Sequence, residues 1–212
     1  MKFLSYDSRF SQFLLKLTYG CWLNLLWAAC SLPLVTIGAS TTALYCVTLK
    51  IAEERDTGLT RSFFESFKKN FVQATRIWLI MVLLGVLIGV DAYAVNHLRS
   101  TTTGALAVMW TLNMALIICA SIVYVVVLIY IFPLLSRFDN TDLAMFKNSL
   151  LLGLHYLFAT IMVFAIHFAM FWLIVAVFTP LAIFGEGMCA MLSSFIFAAV
   201  FRACAYTSEE EN

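Results

Sequence analysis

The fold is decided by the uncharged stretch from Leu17 to Leu49, LTYGCWLNLLWAACSLPLVTIGASTTALYCVTL, which lies between Lys16 and Lys50. A membrane-spanning helix needs about 20 apolar residues, so this stretch is too long for one straight span and short for two. Proline cannot continue the hydrogen bonding of a helix and restricts the residue before it, which makes Pro33 a natural turn. The stretch therefore predicts two membrane helices joined by a hairpin at Pro33.

The composition of the whole chain is that of a membrane protein. Of its 212 residues, 63% are hydrophobic and 12% are charged, and the mean hydropathy is +0.94. A soluble protein needs many more polar side chains on its surface, which excludes a soluble enzyme, a nucleic-acid-binding protein and a disordered chain. The net charge of +1 likewise indicates no nucleic acid partner. We expect the lipid bilayer to be the main partner.

Charge bias and the lengths of the apolar runs together predict the topology. Lys and Arg near the ends of spans mark the cytoplasmic side. A single crossing of the first stretch would place the six basic residues from Lys50 to Arg76 in a short external segment, whereas two crossings leave them inside. We predict an all-α bundle, one membrane domain over 1–212, with both termini cytoplasmic and Arg99 as the one external basic residue. The predicted spans are 13–32, 35–54, 76–96, 105–135, 150–179 and 181–205.

The first hairpin has an alternative interpretation. Its two helices are close to the lower length limit for crossing a bilayer. A re-entrant hairpin, which enters the membrane and returns on the same side, leaves the same chain ends in the cytoplasm.

No cleavage motif follows the first apolar segment, so we expect no cleaved signal peptide.

Two segments between the spans have an amphipathic pattern. In residues 61–75, apolar side chains recur at helical spacing, with Phe63 and Phe67 on one side and Lys68 on the other. Residues 139–149 repeat the pattern over a shorter length. Both segments are predicted to be cytoplasmic interfacial helices. Their similarity is explained equally by an internal duplication, as in many transporters, and by convergence on a common entry helix.

Four blocks of sequence carry a family resemblance. They are Asn24-Leu25-Leu26-Trp27, Pro33-x-x-Thr36-Ile37-Gly38-Ala39-Ser40-Thr41-x-Ala43-Leu44-Tyr45, Phe63-Phe64-x-x-Phe67-Lys68-x-Asn70-Phe71 and Phe132-Pro133-Leu134. In these blocks the chain resembles the YesL family of bacterial integral membrane proteins. That family is a domain of unknown function, often encoded beside carbohydrate ABC transporters and two-component sensors. The resemblance implies a bacterial inner (plasma) membrane protein connected with oligosaccharide uptake, and it supplies no catalytic residue.

The small and hydroxyl-bearing side chains near the first hairpin have two interpretations. Helix packing is the simpler one, because small residues let backbones approach and hydroxyl groups can bond preceding carbonyls. In the other interpretation a polar pocket forms across the hairpin, and an indole ring stacks on a sugar ring. The candidate pocket residues are Asn24, Trp27, Thr36, Ser40 and Thr41.

Ionisable side chains near membrane depth are the second group of candidates. Asp91 lies near the outer end of the third span, and His167 lies inside the fifth. A carboxylate at the bilayer centre costs about 2.5 to 3.5 kcal/mol, so a surface-directed Asp91 and a hydrogen-bonded core His167 are the simpler interpretations. A proton relay or a polar contact with a ligand is the alternative. Glu186, between two glycines, is predicted to lie in an exposed turn between the last two spans.

The sequence carries no signature of an enzyme. It contains no HExxH, no GxSxG, no Gly-rich phosphate loop and no paired intramembrane aspartates. The six cysteines form no CxxC and no Cys/His pair with metal spacing, so we expect reduced thiols and no catalytic residue, metal or cofactor. Two classes of function remain. One is an accessory or small transporter component in carbohydrate uptake, and the other is an interaction protein that docks on an ABC permease or a sensor kinase.

Overall fold

The computed structural model describes residues 9–55, 58–183 and 185–210, with side chains over 15–55, 58–182 and 185–204. Every regular element in these ranges is helical, which confirms the predicted all-α bundle. Both chain ends, and with them the predicted domain limits, lie outside the described residues. The α-helices are α1 (Arg9–Ser31), α2 (Ile37–Ala52), α3 (Leu59–Thr101), α4 (Ala105–Arg137), α5 (Asp142–His155), α6 (Leu157–Ala176) and α7 (Gly185–Glu210). Short 3-10 turns, Leu34–Thr36 and Thr179–Ile183, precede α2 and α7.

Five helical segments of the described part are long and apolar enough to cross a membrane. They are Leu34–Ala52, Leu59–Thr101, Ala105–Arg137, Leu157–Ala176 and Gly185–Cys204. Each overlaps one of the predicted spans. The remaining predicted span, 13–32, coincides with most of α1, whose side chains are described only from residue 15.

Helix α2 lies at the centre of the bundle and contacts α1, α3, α4 and α7. Its fully buried side chains include the small and hydroxyl-bearing Ser40, Thr42 and Thr48. These three hydroxyl groups donate to main-chain carbonyls four residues back, at 3.0, 2.8 and 3.0 Å. The bonds satisfy the hydroxyl groups inside an apolar core, so this small-residue helix serves close packing.

Helices α2 and α3 approach closely at Gly38. A Cβ atom at this position would lie 2.6 Å from the carbonyl oxygen of Ala74 and 2.6 Å from Cβ of Trp78. Phe63 and Ala74 on the same side of α3 are fully buried. Phe64 and Phe71 of the same segment are 39% and 38% exposed, so residues 61–75 pack on protein through part of their apolar side.

Helix α3 unites the predicted interfacial segment 61–75 and the predicted span 76–96 in one helix of 43 residues. At a rise of about 1.5 Å per residue, it is about 65 Å long. The amphipathic pattern ends and the uniformly apolar pattern begins within the helix, without a break in hydrogen bonding. Because helical periodicity is the same on both sides, the sequence pattern alone did not reveal that the two segments are continuous.

The turn of the first hairpin lies beside the middle of α3. The indole Nε1 of Trp78 donates a hydrogen bond of 2.9 Å to the carbonyl oxygen of Leu34. About 35 Å of α3 extends from Trp78 to Thr101, which exceeds the bilayer hydrocarbon thickness of about 30 Å. In the six-span prediction the Pro33 turn lies on the outer side, level with Asn96. The structure instead places that turn beside Trp78, near the start of the predicted third span.

The boundary between the second predicted interfacial helix and the fifth predicted span also differs from the prediction. Helix α5 ends at His155 and α6 begins at Leu157, with Tyr156 between them at φ −103° and ψ 51°. The hydroxyl group of Thr160 donates to the carbonyl oxygen of Gly153 at 2.8 Å, which satisfies a group that the break would leave unpaired. The break therefore falls six residues beyond the predicted start of the span at residue 150.

Candidate functional site

A cavity of about 410 Å³ lies where five helices of the described part meet the N-terminal helix α1. Its volume is within the usual range for sites that bind small molecules. Most of its wall is apolar, with a few polar side chains that converge on the space. The lining residues are Trp27 of α1, Ile37, Thr41 and Tyr45 of α2, Trp78 of α3, Val125, Leu128, Ile129 and Phe132 of α4, Val163, Phe164 and His167 of α6, and Glu186 of α7.

Two half-buried indole rings are held in fixed orientations in the cavity wall. The Nε1 of Trp27 donates to the hydroxyl oxygen of Thr41 at 3.0 Å. The Nε1 of Trp78 is bonded to the carbonyl oxygen of Leu34, and its ring centre lies 6.2 Å from that of Phe132. Since each indole has a single donor, both polar edges are already satisfied and the ring faces remain as apolar binding surface.

The other candidate pocket residues of the first hairpin make structural hydrogen bonds. The buried side-chain amide of Asn24 accepts from the backbone N–H of Gly187 at 2.8 Å and donates to the carbonyl of Ala182 at 3.2 Å. The hydroxyl group of Thr36 lies 2.6 Å from the carbonyl of Cys30, across the hairpin turn. The hydroxyl group of Ser40 donates within α2. The structure thus brings Trp27 and Thr41 to the cavity and places Asn24, Thr36 and Ser40 in contacts between and within helices.

The cavity also contains the two groups that could exchange a proton. His167 projects from α6, and its Nε2 lies 4.0 Å from Oε1 of Glu186 on α7. Its Nδ1 lies 2.9 Å from the carbonyl oxygen of Val163. The two side chains are 31% and 28% exposed, which leaves both accessible from the cavity. The prediction of an exposed turn at Glu186 was therefore wrong, because this residue lies in the first turn of α7 and faces α6.

The glycines beside Glu186 explain that misinterpretation. The described glycine with positive φ is Gly104, so neither Gly185 nor Gly187 adopts a turn conformation that requires glycine. A Cβ on Gly187 would instead collide with the carbonyl oxygen of Gly20 on α1. The signal that could have identified a helix is an acidic residue just before an apolar run, since acids stabilise the first turn of a helix.

Asp91 lies apart from the other candidates. It is exposed on α3, 13 residues beyond Trp78, which corresponds to about 20 Å along the helix axis. It does not line the cavity. The structure therefore does not bring Asp91 and His167 together, and a proton pathway through both would need further groups between them.

Charged side chains gather at the cytoplasmic ends predicted for α2, α3 and α4. The carboxylate of Glu53, 8% exposed, pairs with Arg55 and with Arg137. On the other side of α3, Arg76 pairs with Asp142 at the start of α5. Hydrogen bonds from the Arg76 guanidinium hold the pKa of Asp142 below its ordinary value, partly offset by burial. The Glu53–Arg137 and Arg76–Asp142 pairs join distant segments, and none of these residues lines the cavity.

The described residues hold no group of three or more His, Cys, Asp or Glu side chains arranged to bind a metal ion. Within the cavity, Glu186 and His167 are the side chains of the usual metal-binding types, and two ligands are too few for a structural zinc site. The thiols of the described cysteines are free.

The fold and the cavity define a helical membrane protein with a small-molecule-sized site among its apolar helices. Residues 21–92 match the family described as "Protein of unknown function, DUF624". The chain is also similar to a protein of Bacillus subtilis (strain 168) described as "Uncharacterized protein YteU". The two are 27% identical over 169 residues, which cover 78% of this chain and 72% of that protein. No solved structure matches this chain.

Proposed function

We propose that this protein is a bacterial plasma-membrane protein of the YesL family that acts as an accessory or small transporter component in carbohydrate uptake. In this proposal the cavity holds part of an oligosaccharide. The observation that carries the proposal is the combination in one cavity of two indole rings with the hydroxyl group of Thr41, the imidazole of His167 and the carboxylate of Glu186.

The chemistry of the wall matches that of a sugar. Pyranose rings have apolar C–H faces, which pack on aromatic rings, and hydroxyl groups around the edge, which hydrogen-bond to carboxylates and imidazoles. Trp27 and Trp78 supply the first kind of surface, and Glu186 supplies a strong acceptor. A single carboxylate with a single imidazole also favours binding over covalent chemistry, so we propose that the protein is not an enzyme.

The proposed topology has both termini in the cytoplasm. Basic and acidic side chains are concentrated in the first half of α3, from Leu59 to Arg76, where Arg61 pairs with Glu65 and Arg76 pairs with Asp142. By the positive-inside rule this end faces the cytoplasm. A cysteine introduced at Arg61 should resist an impermeant maleimide in intact cells and react after permeabilisation. Labelling of that cysteine in intact cells would contradict the orientation.

Binding is tested with purified protein in detergent, using maltose as the probe and tryptophan fluorescence as the signal. We expect saturable quenching or a spectral shift in the natural protein and its loss in Trp27→Ala. Trp172→Ala is the matched control, since Trp172 is 57% exposed on α6 and does not line the cavity. Equal maltose responses in both variants, or no response in any protein, would count against a carbohydrate site.

Transport and accessory roles are separated by reconstitution. Lost oligosaccharide uptake in a deletion strain, restored by the purified protein alone in liposomes, identifies a transporter. Uptake restored only when a permease is also present identifies an accessory component. Normal uptake in the deletion strain would contradict both roles.

An interaction protein that docks on an ABC permease or a sensor kinase is the second candidate. The observation in its favour is an exposed apolar stripe on α5, formed by Leu143, Leu151 and Leu154, which are 81%, 54% and 57% exposed. Helices of this kind dock into apolar grooves. A stable complex with a permease, lost in Leu143→Asp and accompanied by unchanged uptake, would favour this candidate.

A further inference from the structure

The pair formed by His167 and Glu186 has a chemistry that the binding proposal does not use. The two residues come from different helices, α6 and α7, and both line the cavity. Their facing atoms, Nε2 and Oε1, are 4.0 Å apart. This separation is too long for a direct hydrogen bond but short enough for a strong electrostatic interaction away from water.

The other imidazole nitrogen fixes the tautomer of His167. A carbonyl oxygen can only accept a hydrogen bond, and the carbonyl oxygen of Val163 lies 2.9 Å from Nδ1. Nδ1 must therefore carry hydrogen when this bond is made. It follows that Nε2 is the nitrogen whose protonation can change, and Nε2 is the nitrogen that faces Glu186.

Counting protons shows which state the geometry favours. Without a further proton, the lone pair of Nε2 and the carboxylate of Glu186 face each other as two acceptors, which is unfavourable. With one proton, the pair is either imidazolium with carboxylate or imidazole with carboxylic acid, and both arrangements pair a donor with an acceptor. With two protons, imidazolium faces a neutral carboxylic acid, and the attraction between opposite charges is lost. The arrangement is thus complementary with one shared proton.

The surroundings add no opposing charge to the described wall of the cavity. From α2 the titratable group is the phenol of Tyr45, and from α7 the thiol of Cys189 lies one turn beyond Glu186. The lining residues of α1, α3 and α4 are aromatic or aliphatic. Elsewhere on the packed helices, the ammonium group of Lys16 lies over the ring of Phe195.

We propose that His167 and Glu186 form a site for one proton in the cavity wall, and that a ligand hydroxyl bridging them couples ligand binding to this proton. A hydroxyl oxygen about 2.8 Å from both atoms would accept from protonated Nε2 and donate to Oε1. No bond other than hydrogen bonds forms or breaks. The coupling rests on the proposed carbohydrate function, whereas proton binding by the pair does not.

The proton site is tested by NMR of the full chain in detergent micelles with ¹⁵N-labelled histidine. The sequence has three histidines, so the double substitution His97→Gln and His155→Gln leaves His167 as the single reporter. We expect the neutral ring to carry hydrogen on Nδ1. We also expect Glu186→Gln to change the ¹⁵N chemical shift of Nε2 of His167, because the group that faces this nitrogen changes. Asp91→Asn is the matched control and should leave that chemical shift unchanged.

Two NMR results would overturn the proton site. One is a neutral ring protonated on Nε2, which is measured without any substitution in the pair and so does not depend on a variant that folds. The other is an Nε2 chemical shift of His167 that Glu186→Gln leaves unchanged, shown in a variant whose circular dichroism matches that of the parent. Glu186→Asp provides a second variant that keeps the charge.

The coupling is tested by titrating maltose between about pH 5 and pH 8, using tryptophan fluorescence. We expect the affinity of the natural protein to change about fivefold or more over this range and that of Glu186→Gln to change less than about twofold. Binding that is equally strong at every pH overturns the coupling while the proposed function stands. No binding at any pH contradicts the proposed function and the coupling together, and the NMR result then decides the proton site separately.

Discussion

The molecule contains two apolar helical hairpins that differ in what surrounds them. The most apolar segment of the first hairpin, within Leu34–Ala52, is 67% buried inside the protein. The corresponding segments of α3 and α4, which form the second hairpin, are 11% and 33% buried. Beyond Met81, almost every residue of α3 up to Thr101 is exposed or half-buried, with Val95 as the buried exception. Helix α2 of the first hairpin therefore packs on protein, whereas the second hairpin presents most of its apolar side chains outward.

The comparison shows which features of an apolar sequence distinguish the two surroundings. Mean hydropathy is lower in the buried α2, at 1.4, than in the more exposed α3 and α4, at 2.2 and 2.9. Side-chain size differs as well: α2 is rich in Gly, Ala, Ser and Thr, whereas the projecting part of α3 is rich in Leu, Ile and Val. Small residues let helix backbones approach closely, while large aliphatic residues suit contact with lipid chains. Small residues and a lower hydropathy together mark the span that packs on protein.

The largest expected effect comes from adding one methyl group to the first hairpin at Gly38, compared with the same change in the second hairpin at Gly89. Gly38→Ala forces α2 away from the Ala74 carbonyl, and we expect it to destabilise the protein by about 1 to 3 kcal/mol. Gly89→Ala is the matched control, because nothing lies within 4 Å of a Cβ there and helix propensity improves. The measurement is thermal unfolding in one detergent. Equal melting temperatures for the two variants would break the contrast between the hairpins.

A smaller effect is expected where the first hairpin is fastened to α3. Trp78→Phe removes the hydrogen bond to the carbonyl of Leu34 and keeps most of the ring packing, at a cost of about 1 kcal/mol. Hydrogen exchange should accelerate at the turn before α2 and remain unchanged near Thr101. Trp172→Phe, at an exposed position on α6, is the control. Unchanged exchange at the turn in Trp78→Phe would show that the bond does not hold the hairpin in place.

The smallest effect concerns the ion pair between Arg76 and Asp142, which lies two residues before Trp78 on α3. Arg76 lowers the pKa of Asp142, so the pair stabilises the folded state above the unfolded pKa of about 3.9 and loses this effect as the pH falls through the lower folded value. We expect natural protein and Asp142→Asn to differ slightly in melting temperature at neutral pH and to converge in acid. A difference that grows on acidification would contradict this sign. Asp139→Asn, at an exposed position, is the control.

The existence of the helices could be predicted from the sequence. It could not be predicted where one helix continues unbroken, or which residues of neighbouring helices lie side by side. The charge-free runs located the apolar segments because an unpaired charge is costly in lipid. The same pattern could not show that α3 is unbroken at residue 76, since amphipathic and uniformly apolar helices share one period. Nor could it place Leu34 beside Trp78, because that contact joins residues far apart in the chain and depends on side-chain fit at Gly38.

Only part of the candidate site could be predicted from the sequence, for a similar reason. Trp27 and Thr41 lie on the two helices of one hairpin, so a local sequence pattern could connect them. His167 was identified from its depth, whereas Glu186 was assigned to a turn because two glycines flank it. The second of these glycines reflects the close passage of α1 at Gly20 and not a turn, and a contact between distant segments leaves no local signature. The pairing of His167 with Glu186 in the cavity could therefore be recognised only from the structure.

The unbroken course of α3 gives the molecule a mechanical lever. The helix passes from the charged end near Leu59, beside the cavity at Trp78, to the far tip at Thr101, and no hinge interrupts it. A tilt of about 5° pivoting at Trp78 would carry Thr101 sideways by about 3 Å over a lever arm of about 35 Å. Because the helix is continuous, a tilt about Trp78 displaces its Leu59 end and its Thr101 end in opposite directions.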